Sequence, residues 1–123
     1  METSLLLKRT KNFALDNIRF FKSLPKTDEA RIIGKQLLRA STSVASNYRA
    51  ACRSRSRQEF YAKICIVVEE SDETLFWLEL LTDSGIQTSE KTNLIMKEAE
   101  ELLFIFSASK RSTKQNMNNS PNQ

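Results

Sequence analysis

The sequence predicts an all-α fold, an antiparallel up-down-up-down four-helix bundle, and three features carry that prediction. Only two Gly and two Pro occur in 123 residues, and neither type interrupts the run from Lys35 to Ser84. Such a run suits long helices and not a many-turned β fold. Apolar residues recur at helical spacing along four segments, and each segment is bounded by a cap or a breaker. Short connections between helices imply antiparallel neighbours. The length suits one domain, with the bundle expected over 1–112 and a disordered Asn/Gln/Ser-rich tail over 113–123.

Helix 1 is expected from Ser4 to Ser23, with Leu6, Phe13, Leu15, Ile18, Phe20, Phe21 and Leu24 as its apolar residues and a basic first half at Lys8, Arg9 and Lys11. Pro25 ends it, because proline disfavours helical geometry in the residue before it. Thr27 or Asp28 can cap helix 2, expected to Arg53. At about 100° per residue, Ile33, Leu37, Ala40, Val44, Tyr48 and Ala51 share an arc of about 80°. Lys35, Arg39, Thr42, Ser46, Arg49 and Arg53 share a similar arc opposite. Ser56 and Glu59 read as a capping box for helix 3, which extends to Asp83. Its core arc holds Phe60, Ile64, Val67, Ser71, Leu75 and Leu78. Further apolar residues, among them Ile66, Phe76, Trp77 and Leu80, surround much of its girth, as in a helix buried on more than one face. In a small bundle this points to contact with another subunit, with Trp77 as an interface anchor and a ligand platform as the lesser reading. Gly85 is a suitable C-terminal cap. Thr88 or Ser89 opens helix 4, carrying Leu94, Ile95, Ala99, Leu102, Ile105 and Phe106.

Composition narrows the chemistry. There is no histidine, so the commonest general base is missing and no Ser/His/Asp or Cys/His arrangement can form. The expectation is a protein that is not an enzyme, with no catalytic residue, cofactor or metal. Cys52 and Cys65 lie thirteen positions apart, unlike a Cys-x-x-Cys pair, and read as small buried hydrophobes. Glu69, Glu70 and Glu73 lie largely away from the core arc, where a solvated or intersubunit face is expected and a metal site is not. Charged residues break every apolar run before membrane-spanning length, and Glu2 stands where a signal peptide would be basic. A cytoplasmic protein is expected.

Charge is the main functional signal. Ala30 to Gln58 holds seven basic residues and no acid, whereas Glu59 to Glu101 holds eleven acids and three bases. One reading is that Lys35, Arg39, Arg49, Arg53, Arg55 and Arg57 contact RNA or DNA phosphates, since the arginine fork donates two parallel hydrogen bonds to one phosphate. Tyr48 is the one aromatic near this stripe and it faces the core, so base stacking is not expected. The other reading is a structural or protein-interaction scaffold, in which these bases pair with Glu69, Glu70, Asp72 and Glu73 of the same chain or a neighbour. Asn47, at the edge of the helix 2 core seam, reads as a buried polar contact that fixes register.

The stretch Gln36-Leu37-Leu38-Arg39-Ala40-Ser41-Thr42-Ser43-Val44-Ala45-Ser46-Asn47-Tyr48 resembles a signature of the four-helix-bundle proteins encoded in 23S ribosomal RNA intervening sequences. Arg57, Phe60, Ser71, Glu73 and the Leu24-Pro25 break fall at matching spacing. The resemblance implies a bundle that associates into a ring, commonly a homopentamer. In the related accessory protein of diversity-generating retroelements it also implies a basic surface that works with nucleic acid and a reverse transcriptase. Where many members continue with Ile-x-Glu-Gly, this chain reads Tyr48-Arg49-Ala50-Ala51-Cys52, so a longer helix 2 and a different following turn are expected.

Overall fold

The structure, a computed structural model, describes residues 2–119. Its helices are α1 (Thr3–Ser23), α2 (Asp28–Cys52), α3 (Arg57–Asp83) and α4 (Glu90–Asn119), with no strand among the described residues. The boundaries follow local chemistry. Leu24, held before Pro25, is extended and closes α1. The Thr27 side chain accepts a hydrogen bond from the Ala30 N–H at the start of α2, and Ser56 accepts one from Glu59 at the start of α3. After α3, Gly85 adopts φ +80° and its N–H reaches the Thr82 carbonyl. That left-handed conformation favours glycine and leads the chain back toward α4.

Contacts between helices show two of the packed pairs, α3–α4 and α1–α2, to run antiparallel. On α3 and α4, Thr82 donates to the Met96 sulfur, the Lys114 ammonium lies 5.7 Å from the Tyr61 ring centroid, and Arg57 donates to the Asn116 carbonyl. Residue numbers fall on one helix as they rise on the other. α1 runs against α2 by the same logic, with Phe21 and Leu24 beside Gly34 and with Leu7 beside Ala45 and Ser46. The principal packed pairs are α1–α2, α2–α3 and α3–α4, while α1 and α4 touch most sparsely.

The core runs along the bundle axis and includes Phe20, Leu37, Val44, Ile64, Leu78, Leu102 and Phe106, all fully buried. On α1 the inward seam is Leu6, Thr10, Phe13, Asn17, Phe20 and Leu24, alternating steps of four and three residues. Leu15, expected with the apolar set, is exposed, and Asn17 is buried in its place. Burial here follows helical phase more than side-chain polarity. Thr10, Asn17 and Thr74 donate to carbonyls of their own helix, at Leu6, Phe13 and Glu70, which spares them the cost of an unpaired donor. The Asn17 Oδ1 and the Ser71 Oγ remain buried without a partner among the described residues.

The tail expectation is corrected. α4 continues beyond Ser112 to Asn119, so residues 113–119 are helical and not disordered; residues 120–123 lie outside the described residues. Two long-range contacts hold this last segment against α3: Arg57 to the Asn116 carbonyl and Lys114 to the Tyr61 ring. Composition shows a polar segment, but not that α3 offers it partners. No helix among the described residues is long and apolar enough to cross a membrane.

Candidate nucleic-acid interface

The two edges of α2 do different work. Its α3-facing edge carries Gln36, Arg39, Ser43 and Asn47, the polar residues of the signature stretch. Arg39 donates to Gln36 on its own helix and to Glu70 and Glu73 of α3. Glu73 also accepts from the Trp77 indole N–H, at 3.0 Å. Arg39 is therefore engaged in an intrachain clamp and is not open to a ligand on all sides. Asn47 donates to the Ser43 carbonyl and hydroxyl, so its contact is within one helix and does not itself set the register between helices.

The Arg39 clamp is of modest strength, because the arginine side chain is 51% exposed and solvent screens the pair. A double-mutant cycle on Arg39→Ala and Glu73→Gln, read by urea denaturation, should give a coupling of about 0.5–1 kcal/mol. A coupling indistinguishable from zero would remove the clamp.

The α1-facing edge is different. Lys35 and Arg49 on this edge, Arg53 at the end of α2 and Arg55 in the turn after it are exposed, and no carboxylate among the described residues pairs with them. Arg57 is half-buried and bonded to the Asn116 carbonyl. The six candidate cations thus separate into four open ones, one clamped by acids and one tied to α4.

Antiparallel packing of α1 on α2 creates a groove of about 740 Å³ where Lys11, Arg49 and Arg53 line the same space. The hydroxyls of Thr3, Thr42 and Ser46 also line it, and Leu7, Ala45 and Cys52 supply apolar wall. Lys11 was not among the candidate site residues. Its signal was the basic first half of helix 1, but only the register shows that it meets Arg49 and Arg53. On the other side of α1, Arg9 donates to Glu98 of α4, and this bond, ahead of the opposing burial, raises its pKa and holds the guanidinium charged.

The candidate interface residues on α3 are not equally placed. Phe76 and Ile66 are exposed, while Trp77 and Leu80 are half-buried, with the Phe76 and Trp77 rings edge to face at 5.0 Å. Trp77 thus faces the Arg39 clamp on one side and Phe76 on the other. Cys52 and Cys65 are free thiols, each half-buried. No cluster of three or more Cys, Asp or Glu placed to hold a metal ion occurs among the described residues.

The model of the 23S rRNA-intervening sequence protein family matches residues 2–108. The chain belongs to that family. A solved relative is the crystal structure of a protein of unknown function from the S23 ribosomal protein family of Bacteroides thetaiotaomicron. It aligns with a TM-score of 0.82 and 28% identity over 90% of this chain and 99% of that one. No curated protein matches the chain. The family's four-helix form is therefore the form seen here, and the match ends close to where the polar extension of α4 begins.

Proposed function

We propose that this family member is a non-enzymatic bundle that binds RNA or DNA backbone, without reading sequence, through the α1–α2 groove. The observation that carries the reading is the convergence of Lys11, Arg49 and Arg53 on one concavity with no pairing carboxylate among the described residues. Lys35 and Arg55 are further exposed cations outside the groove. Because no aromatic side chain lines the groove, stacking on unpaired bases is unsupported, and phosphates of a duplex or a structured RNA are the better match.

The scaffold reading has one observation in its favour, the pairing of Arg39 with Glu70 and Glu73. It accounts for Arg39 and leaves the groove cations unexplained. Self-association into a ring belongs to both readings, and the exposed Phe76 and Ile66 support it.

The test is fluorescence anisotropy on a labelled RNA duplex over a salt series, with sedimentation equilibrium on the same samples. Each lost phosphate contact flattens the slope of log K against log salt by about 0.9. Substituting Lys11, Arg49 and Arg53 together with alanine should therefore reduce the slope by about 2.7 while the sedimenting mass stays unchanged. No binding at about 50 mM salt, or an unaltered slope in the triple variant, defeats the proposal. If the triple variant instead loses its assembled mass, the scaffold reading is the correct one.

A further inference from the structure

The bundle has a second concavity, at the end where α1 and α4 part. Between these sparsely contacting helices lies a cleft of about 780 Å³, within the range of sites that enclose a small molecule, about 300–1,000 Å³. Its walls belong to the core: Leu6, Tyr48, Ala51 and Phe106 line it and are each buried. The cleft therefore reaches into the bundle and is more than a flat outer face. Phe60 and Phe104 add aromatic surface, the latter 71% exposed.

Two properties set the ligand's chemistry. No Asp, Glu, Lys or Arg lines the cleft, so nothing there compensates a ligand charge on leaving water. Apart from the Cys52 thiol, the polar side-chain groups are hydroxyls, including those of Ser54, Ser109 and Ser112, and the most buried of these residues is Tyr48. Tyr48 is only 5% exposed. Beside its hydroxyl stand the Cys52 thiol and the Thr3 hydroxyl, both on the cleft wall. Burial first, and Cys52 next, push the phenol's pKa upward, so the hydroxyl keeps its proton and can donate it. The Tyr48 ring is itself held, at 5.0 Å from the Phe106 ring.

From these observations we infer that the α1–α4 cleft binds an uncharged, mainly apolar small molecule carrying a carbonyl or similar acceptor, which takes the Tyr48 hydroxyl as its donor. The cleft adjoins the nucleic-acid groove through Thr3 and Cys52, which line both, but Lys11, Arg49 and Arg53 line the groove alone, so the two readings can be tested separately.

The probe is 6-propionyl-2-dimethylaminonaphthalene, an uncharged aromatic ketone whose emission shifts to the blue on leaving water. Titrated with the full chain, it should show a saturable blue shift with one site per chain. Tyr48→Phe, which removes only the hydroxyl, should weaken binding about five-fold, the equivalent of one hydrogen bond of about 1 kcal/mol. Ser109→Phe should weaken it at least ten-fold by filling the mouth. Should that variant fail to fold, Phe104→Ser serves in its place, because the exposed ring contributes wall but no core packing. The inference is overturned by the absence of saturable binding, or by unchanged affinity in Tyr48→Phe together with either wall variant. It is also overturned if the probe is expelled in step with self-association measured by sedimentation, because the cleft would then belong to a second copy of the chain.

Discussion

Phe106→Ala should lower the free energy of unfolding by about 3–5 kcal/mol, a large part of the stability of a single small domain. Phe106 is fully buried, with its ring against Tyr48 at 5.0 Å. Truncation removes the ring's transfer free energy and leaves a cavity that its neighbours can fill only in part. Tyr48 is fixed on α2, so it cannot follow the missing ring without moving a whole helix. Phe104, two residues earlier and 71% exposed, is the internal control. Its alanine variant should change stability by no more than about 0.5 kcal/mol. Urea denaturation of both variants, with the denaturant slope held equal to that of the parent, reads the difference. Equal losses at the two positions would mean that α4 does not present Phe106 to the core.

Gly34→Ile should be the next most damaging change, at about 2–3 kcal/mol. A Cβ at this position would lie 2.8 Å from the Leu24 Cδ1 and 2.9 Å from the Phe21 Cδ1, inside van der Waals contact. Glycine in a helix interior costs about 1 kcal/mol relative to alanine, and its presence in α2 is explained by this close approach of the end of α1. Alanine would regain that propensity while displacing two side-chain ends, so Gly34→Ala should lie within about 1 kcal/mol of the parent. Isoleucine brings two branches on Cβ into the same space and must push α1 away. At about 4 °C per kcal/mol, a thermal scan should show a fall of about 10 °C for isoleucine. A midpoint for Gly34→Ile equal to that of Gly34→Ala would show that α1 yields freely and that its packing on α2 adds little.

Much of the fold was legible before any coordinates. The breaker at Pro25, the Thr27 and Ser56 caps and the Gly85 turn are local signals, and the helix ends lie within a few residues of where those signals put them. Phase on α2 was equally readable, since Leu37, Ala40, Val44, Tyr48 and Ala51 are all buried. The candidate site was readable in part. That α2 carries a basic stripe is a statement about one helix and its period. Whether a given cation on it is open or bound depends on what the neighbouring helices bring to it.

The sequence by itself determined four helices, their caps, the inward seam of α2 and the separation of base from acid along the chain. These follow from interactions between residues a few positions apart, which one helix's geometry settles. Only the tertiary structure decided that Arg39 meets Glu70 and Glu73 and that Lys11 joins Arg49 and Arg53. It also decided that Asn17 points inward while Leu15 points out, and that the polar end of α4 is held helical by Arg57 and Tyr61. Each of these depends on the relative phase and register of two helices. That relation is set by packing of the whole core, by close approaches such as Gly34 on Leu24, and not by any local run of residues.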